Sequence, residues 1–134
     1  MRTARTSLTV IVAALFLALG GTGCATVRRM DDCRGVKVEA GQEPIEAVDI
    51  CNTNWLLLSI LPIASGDPDN PDGWTTVFFR NTVTVENQMR MLEDEARRVG
   101  ARQAINVATI SSDESVFLLL FLREKIHTSA VLVK

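Results

Sequence analysis

The sequence predicts an α+β domain: a two-layer sandwich in which one amphipathic helix lies on a mainly antiparallel sheet of about five strands, in the order β-β-α-β-β-β. Three observations lead there. Apolar residues recur at helical spacing most clearly over residues 85–99. Apolar or alternating runs of strand length flank that segment on both sides, divided by short turn signals. Short links between the last runs make them an antiparallel meander, on which the helix must bury its stripe.

Residues 1–23 stand apart from that fold. Arg2 and Arg5 form a short positive region without an acid, and residues 8–19 (LTVIVAALFLAL) are a 12-residue apolar stretch. A helix crossing the bilayer needs about 20 apolar residues, so this one suits a signal peptide. The small residues Gly20, Gly21, Thr22 and Gly23 then lead to Cys24. Residues 24–43 are polar and lack sustained periodicity; they read as a tether, with a short edge strand at 36–39.

The domain proper spans 44–134. Pro44 opens a strand at 45–51, Asn52-Thr53-Asn54 supplies turn chemistry, and residues 55–60 (WLLLSI) read as a strand buried on both faces. Residues 62–75 hold three Pro, two Gly and three Asp, the composition of an exposed loop. In the helix, Val85, Met89, Leu92, Ala96 and Val99 form one stripe. Glu86–Arg90, Glu93–Arg97 and Asp94–Arg98 are i,i+4 pairs with the acid first. Thr82 or Thr84 caps the start, and Gly100 sits where a terminating glycine belongs. Three strands follow at 104–111, 116–122 (VFLLLFL) and 126–133, with turns at Ser112-Asp113-Glu114 and Arg123-Glu124-Lys125. The two apolar runs imply apolar side chains on both faces of the sheet, while one helix covers only one. The other face requires the 62–75 loop, a second copy, an envelope protein partner or lipid.

The 134 residues carry 14 Lys+Arg against 16 Asp+Glu and are 47% hydrophobic, which fits one folded domain and excludes disorder. A pI near 5.4 gives no electrostatic footprint for nucleic acid. Without residues 1–23 the chain has 111 residues with 12 basic and 16 acidic side chains. Export would make a Cys33–Cys51 disulfide reasonable, worth about 3 kcal/mol in the chain-entropy model; two free thiols are the alternative.

Catalytic chemistry finds little support in the residues. His127 has no Cys, Asp or second His beside it in sequence and reads as a surface or structural imidazole rather than a base or ligand. Ser59, Ser65, Ser111, Ser112 and Ser129 lack any nucleophile motif. Asp67, Asp69 and Asp72 form a candidate cation site, but an EF-hand count from Asp67 places Pro71 at position 5 and Phe78 at position 12, so the EF-hand pattern fails. Met89 and Met91 read as helix core and flank, Trp55 as core and Trp74 as loop packing. No cofactor and no metal site are implied.

Gly23 and Thr22 before Cys24 resemble the lipobox of bacterial lipoproteins, with Gly21 standing where Leu, Val or Ile is usual. That resemblance implies cleavage before Cys24, acylation of its sulfur and a membrane anchor without a spanning helix. The alternative is an ordinary secretory signal that leaves Cys24 as a thiol. Ala25, in place of the Asp that favours inner-membrane retention in such lipoproteins, implies an outer-membrane protein facing the periplasm. Over residues 44–134, Asn52 to Leu58 with Pro62 to Pro68 and the closing His127 to Leu132 resemble small bacterial lipoproteins of uncharacterised function. Glu95 to Val107 is similar to the helix–"GA"–strand stretch of YbjQ/RcsF-type domains. Neither likeness carries an activity. The resulting expectation is a non-enzymatic, lipid-anchored envelope protein with a structural or protein-interaction role, working through an apolar sheet face. The alternative is a small-ligand or cation-binding periplasmic module using the acidic 62–75 loop.

Overall fold

The structure is a computed structural model that describes residues 24–33, 36–73, 75–116 and 120–134. The expected signal peptide (residues 1–23), Trp74 and the middle of the 116–122 run lie outside the described residues. In chain order the elements are β1 (Ala25–Met30), β2 (Pro44–Leu57), β3 (Leu61–Gly66), β4 (Thr76–Phe78), α1 (Val85–Val99), β5 (Gln103–Val116) and β6 (Phe121–Val133). One antiparallel sheet runs β4-β3-β2-β6-β5, with β1 also on β2. The α+β class is as the sequence predicts, but the sheet has six strands and the order is β-β-β-β-α-β-β.

Two strands share one edge of β2. Residues 54–57 pair with β3, and residues 47–52 pair with β1 from Ala25↔Asn52 to Met30↔Ala47. The strands therefore meet end to end, with Gly66 against Cys24 and Ala25. A Cβ on Gly66 would run into the backbone of both, which is why only glycine fits there.

Several readings of local sequence are corrected. Residues 25–30 are a strand of the sheet rather than part of a tether, and 36–39 form no strand. Asn52-Thr53-Asn54 is not a turn but the middle of β2, because both asparagines are fully buried. Asn52 Nδ2 donates to the Thr82 carbonyl at 3.0 Å, and Asn54 Nδ2 to Glu124 Oε2 at 3.4 Å. The Asn52 bond, with Ser65 Oγ donating to the Arg80 carbonyl and Thr82 Oγ1 to that of Gly66, clamps the segment before the helix onto the sheet, and Asn81 Nδ2 donates to the same Glu124 oxygen as Asn54. Residues 61–66 form β3, so the exposed acidic loop begins only at Asp67. The charged stretches 112–114 and 123–125 lie within β5 and β6, cross-paired as Glu114↔Arg123. Of the WLLLSI run, residues 55–57 end β2, paired with β3 on one edge and β6 on the other, and residues 58–60 turn into β3; of the second run, Val116 and Phe121 pair at the end of the β5–β6 hairpin.

The helix has the expected ends. Thr84 caps it by accepting from the Asn87 amide, and Gly100 closes it at φ 69°. Its buried face is turned from the expected stripe. Gln88, Met91, Leu92 and Glu95 are buried, while Val85 and Met89 are exposed. Polar anchors set the rotation. Gln88 Nε2 donates to the Ile126 carbonyl, and Glu95 takes arginines from both sides. Of the three expected i,i+4 pairs, Glu93–Arg97 forms at 2.7 Å; Arg90 goes to Asp69 and Arg98 to Glu95 and Glu46. Ala25, Val27, Val48, Ile50, Met91, Leu92, Ala130 and Leu132 make the core between helix and sheet.

A chain of alternating charge ties helix, sheet and loop together. Glu46 meets Arg98 at 2.7 Å, Arg98 meets Glu95 at 2.6 Å, Glu95 meets Arg29 at 2.7 Å, and Arg29 meets Asp72 at 2.9 Å. The hydrogen bond from Arg29, joined by that from Arg98, holds the Glu95 carboxyl below its usual range against the opposing effect of burial. A carboxylate depressed in the folded state adds stability above its unfolded value of about 4.3, and that stability is lost as the pH falls through its folded value. Glu95→Gln should therefore cost about 2 kcal/mol at neutral pH, less than the ~3–5 of a fully buried pair because both arginines reach solvent. Thermal melts should show the gap between variant and parent closing as the pH is lowered to about 3; a gap that stays constant would remove the charge network as its cause.

Candidate functional site

Alternation along the strands leaves one sheet face away from the helix. It carries Thr26 and Arg28 from β1, Asp49, Cys51 and Trp55 from β2, Arg123, Lys125, His127 and Ser129 from β6, and Ile110 from β5. This face is mixed and charged rather than apolar, contrary to what two double-faced apolar runs suggest. Arg123 lies over the Trp55 ring at 5.7 Å and pairs with Glu114 at 2.7 Å.

At its centre the register Cys51↔His127 brings together residues 76 apart in sequence. Cys51 Sγ lies 3.5 Å from His127 Nε2, and His127 Nδ1 lies 3.8 Å from Asp49 Oδ1. Thiol, imidazole and carboxylate thus stand in the order used by thiol nucleophiles. Reading the sequence locally missed this, because the partners meet only through strand pairing.

The surroundings do not complete an active site. Burial pushes the Cys51 thiol above its usual range, and the nearby Asp49 charge acts in the same direction, outweighing Thr53, Lys125 and Arg28. β2 is paired on both edges here, by β1 and by β6, so its backbone N–H groups are engaged in the sheet and form no oxyanion hole. Two grooves of the surface lie elsewhere. One of about 380 Å³ runs between the Asp67–Asp69 loop and Arg90, and one of about 320 Å³ between Lys37 and Asn106. All three cysteines are free, so the Cys33–Cys51 disulfide is not formed in this structure.

The candidate cation site is not assembled either. Asp72 receives the Val27 amide at 2.8 Å and Arg29 at 2.9 Å, Asp69 pairs with Arg90 at 2.8 Å, and Asp67 accepts from the Asp69 amide. Their carboxylates are directed to protein donors, and among the described residues no group of three or more His, Cys, Asp or Glu is placed to hold a metal. Instead the loop closes the outer edge of β1, since the Asp72 amide also donates to the Ala25 carbonyl at 2.9 Å.

Two surface features remain. Cys24 is exposed, one residue before β1. The hairpin end of the sheet gathers Leu58, Ile60, Leu61, Phe78, Phe79 and Leu120, all exposed, with Ile60 at 82%. The Leu58 amide donates to the Leu120 carbonyl at 2.8 Å, which joins the two hairpins into one tip. Among the described residues no helix is long and apolar enough to cross a membrane.

Comparison with protein-family models, with curated proteins and with solved structures returns no match. The functional reading therefore rests on this chain's own residues.

Cys51 provides a direct check on the open face. Its alkylation rate should keep rising with pH beyond the point where the cysteines of the unfolded chain level off, as a raised thiol pKa requires. A reactive plateau at low pH, abolished by His127→Ala, would instead mark a thiolate–imidazolium pair.

Proposed function

We propose that this chain is a lipid-anchored protein of the cell envelope, held by acyl chains on Cys24, with a structural or protein-interaction role rather than an enzymatic one. The observation that carries the reading is the position of Cys24. It follows a short apolar run and four small residues, and it lies exposed just outside the sheet, where its sulfur can be acylated with every strand in place. Two or more acyl chains hold a protein to a bilayer where one gives only marginal binding.

The non-enzymatic part is supported by the open face. Its one assembled nucleophile–base pair has a thiol kept protonated by burial and no free backbone donors beside it. What the face offers is alternating charge (Arg28, Asp49, Lys125, Arg123 and Glu114) on a rigid sheet, a surface suited to a protein partner of complementary charge. Ala25 after the acylated cysteine favours the outer membrane, facing the periplasm.

Intact mass of the protein purified from membranes tests the anchor. The expected mass is that of residues 24–134 plus two or three acyl chains, and Cys24→Ser should abolish that product. A mass without lipid would overturn the anchor and leave a secreted domain.

A further inference from the structure

We infer that the hairpin end of the sheet is a second membrane contact, seated in the interfacial layer of the same bilayer that holds Cys24. The inference rests on the anchoring proposed above and says how the domain is posed on that membrane.

The absence of a spacer is the first ground. A tether of some twenty residues would let the domain float clear of the lipid. Instead β1 begins at Ala25, directly after Cys24, and is fixed in the sheet by six paired residues and by Asp72. Acyl chains on Cys24 would pull the domain itself to the headgroups.

The second ground is where the apolar surface lies. By register Cys24 stands beside Thr53, and the hairpin turn begins four residues on, after Leu57, about 13 Å away at ~3.3 Å per residue. Six of the large apolar side chains exposed on the described residues are concentrated at that end. The opposite end of β1, at Met30, has no such concentration.

The third ground is conformational. Leu58 sits at φ 52°, Ser59 at φ 60° and Phe79 at φ 57°, in the left-handed region that glycine and asparagine occupy more readily. The β2–β3 turn at Leu58 and Ser59, and the bend at Phe79 after β4, would use those residues if selected only for tightness. Leucine and phenylalanine there present apolar side chains outward at a conformational cost. The tip has few charges of its own, so the occupant that fits is hydrocarbon and its boundary with the headgroups, as for an interfacial anchor.

The test uses the full chain, expressed with its own leader, purified from membranes and reconstituted into phosphatidylethanolamine–phosphatidylglycerol vesicles with or without brominated acyl chains. Ile60→Trp reports the tip, Leu61→Trp is a second reporter should Ile60→Trp not fold, and Met30→Trp reports the far end. Emission of the unsubstituted chain is subtracted. Brominated lipid should roughly halve the tip signal, as for a ring at the ~5–10 Å depth of an interfacial anchor, and leave Met30→Trp unchanged. An unquenched tip on a chain that carries acyl groups and floats with the vesicles would overturn this inference and leave the anchor standing. A tip that is blue-shifted yet unquenched would overturn it in favour of a second copy covering the end. Equal quenching at both positions would overturn the proposed pose. A chain that lacks acyl groups and does not float would overturn both the anchor and the tip contact.

Discussion

The pairing of β1 with β2 is the constraint on which the rest depends. It places residues 25–30 on a central strand, abuts them end to end with β3 at Gly66, and lets Asp72 cap their free edge. It also supplies Arg29, whose fork joins Glu95 of the helix to Asp72 of the loop. Without β1 the core would lose Ala25 and Val27, and Glu95 would keep only Arg98. A buried carboxylate left half-compensated is costly, so helix seating and strand pairing stand or fall together.

That arrangement also separates two kinds of surface. Across the strands, the face away from the helix carries charged and polar side chains with Cys51 and His127 at its centre. Along the strands, large apolar side chains accumulate at the hairpin end. On the anchoring proposed here, the charged face would meet a protein partner beside the membrane and the apolar end would meet lipid. The acidic loop belongs to neither, since its carboxylates are spent on Arg29, Arg90 and the edge of β1.

Much of this was legible in the sequence, and the failures share a cause. The helix limits follow from Thr84 and Gly100, whose effects are local. The antiparallel class follows from short links between runs. What local reading inverted was the role of polar and apolar stretches. Asn52 and Asn54 look like a turn but are buried amides, Asn52 holding the segment at Thr82 and Asn54 bonding Glu124 on β6. Ser112 to Glu114 look like a turn but lie on an edge strand, where charge is tolerated and guards against edge-to-edge pairing. The WLLLSI run looks like one core strand, but residues 58–60 turn at the end of the sheet. Val85 and Met89 fit the helical stripe, yet Gln88 and Glu95 set the rotation through partners on β6 and β1 that no helical periodicity can reveal. Cys51, His127 and Asp49 converge only through register.

The β1–β2 pairing orders the chain from its first residue after Cys24. Hydrogen–deuterium exchange of the membrane-extracted full chain measures that directly. Amides of residues 26–30 should exchange as slowly as those of β2 that they pair with, and Gly66→Ala, which forces β3 and β1 apart, should speed both. Exchange of residues 26–30 at the rate of an unstructured tether, with β2 still protected, would contradict it.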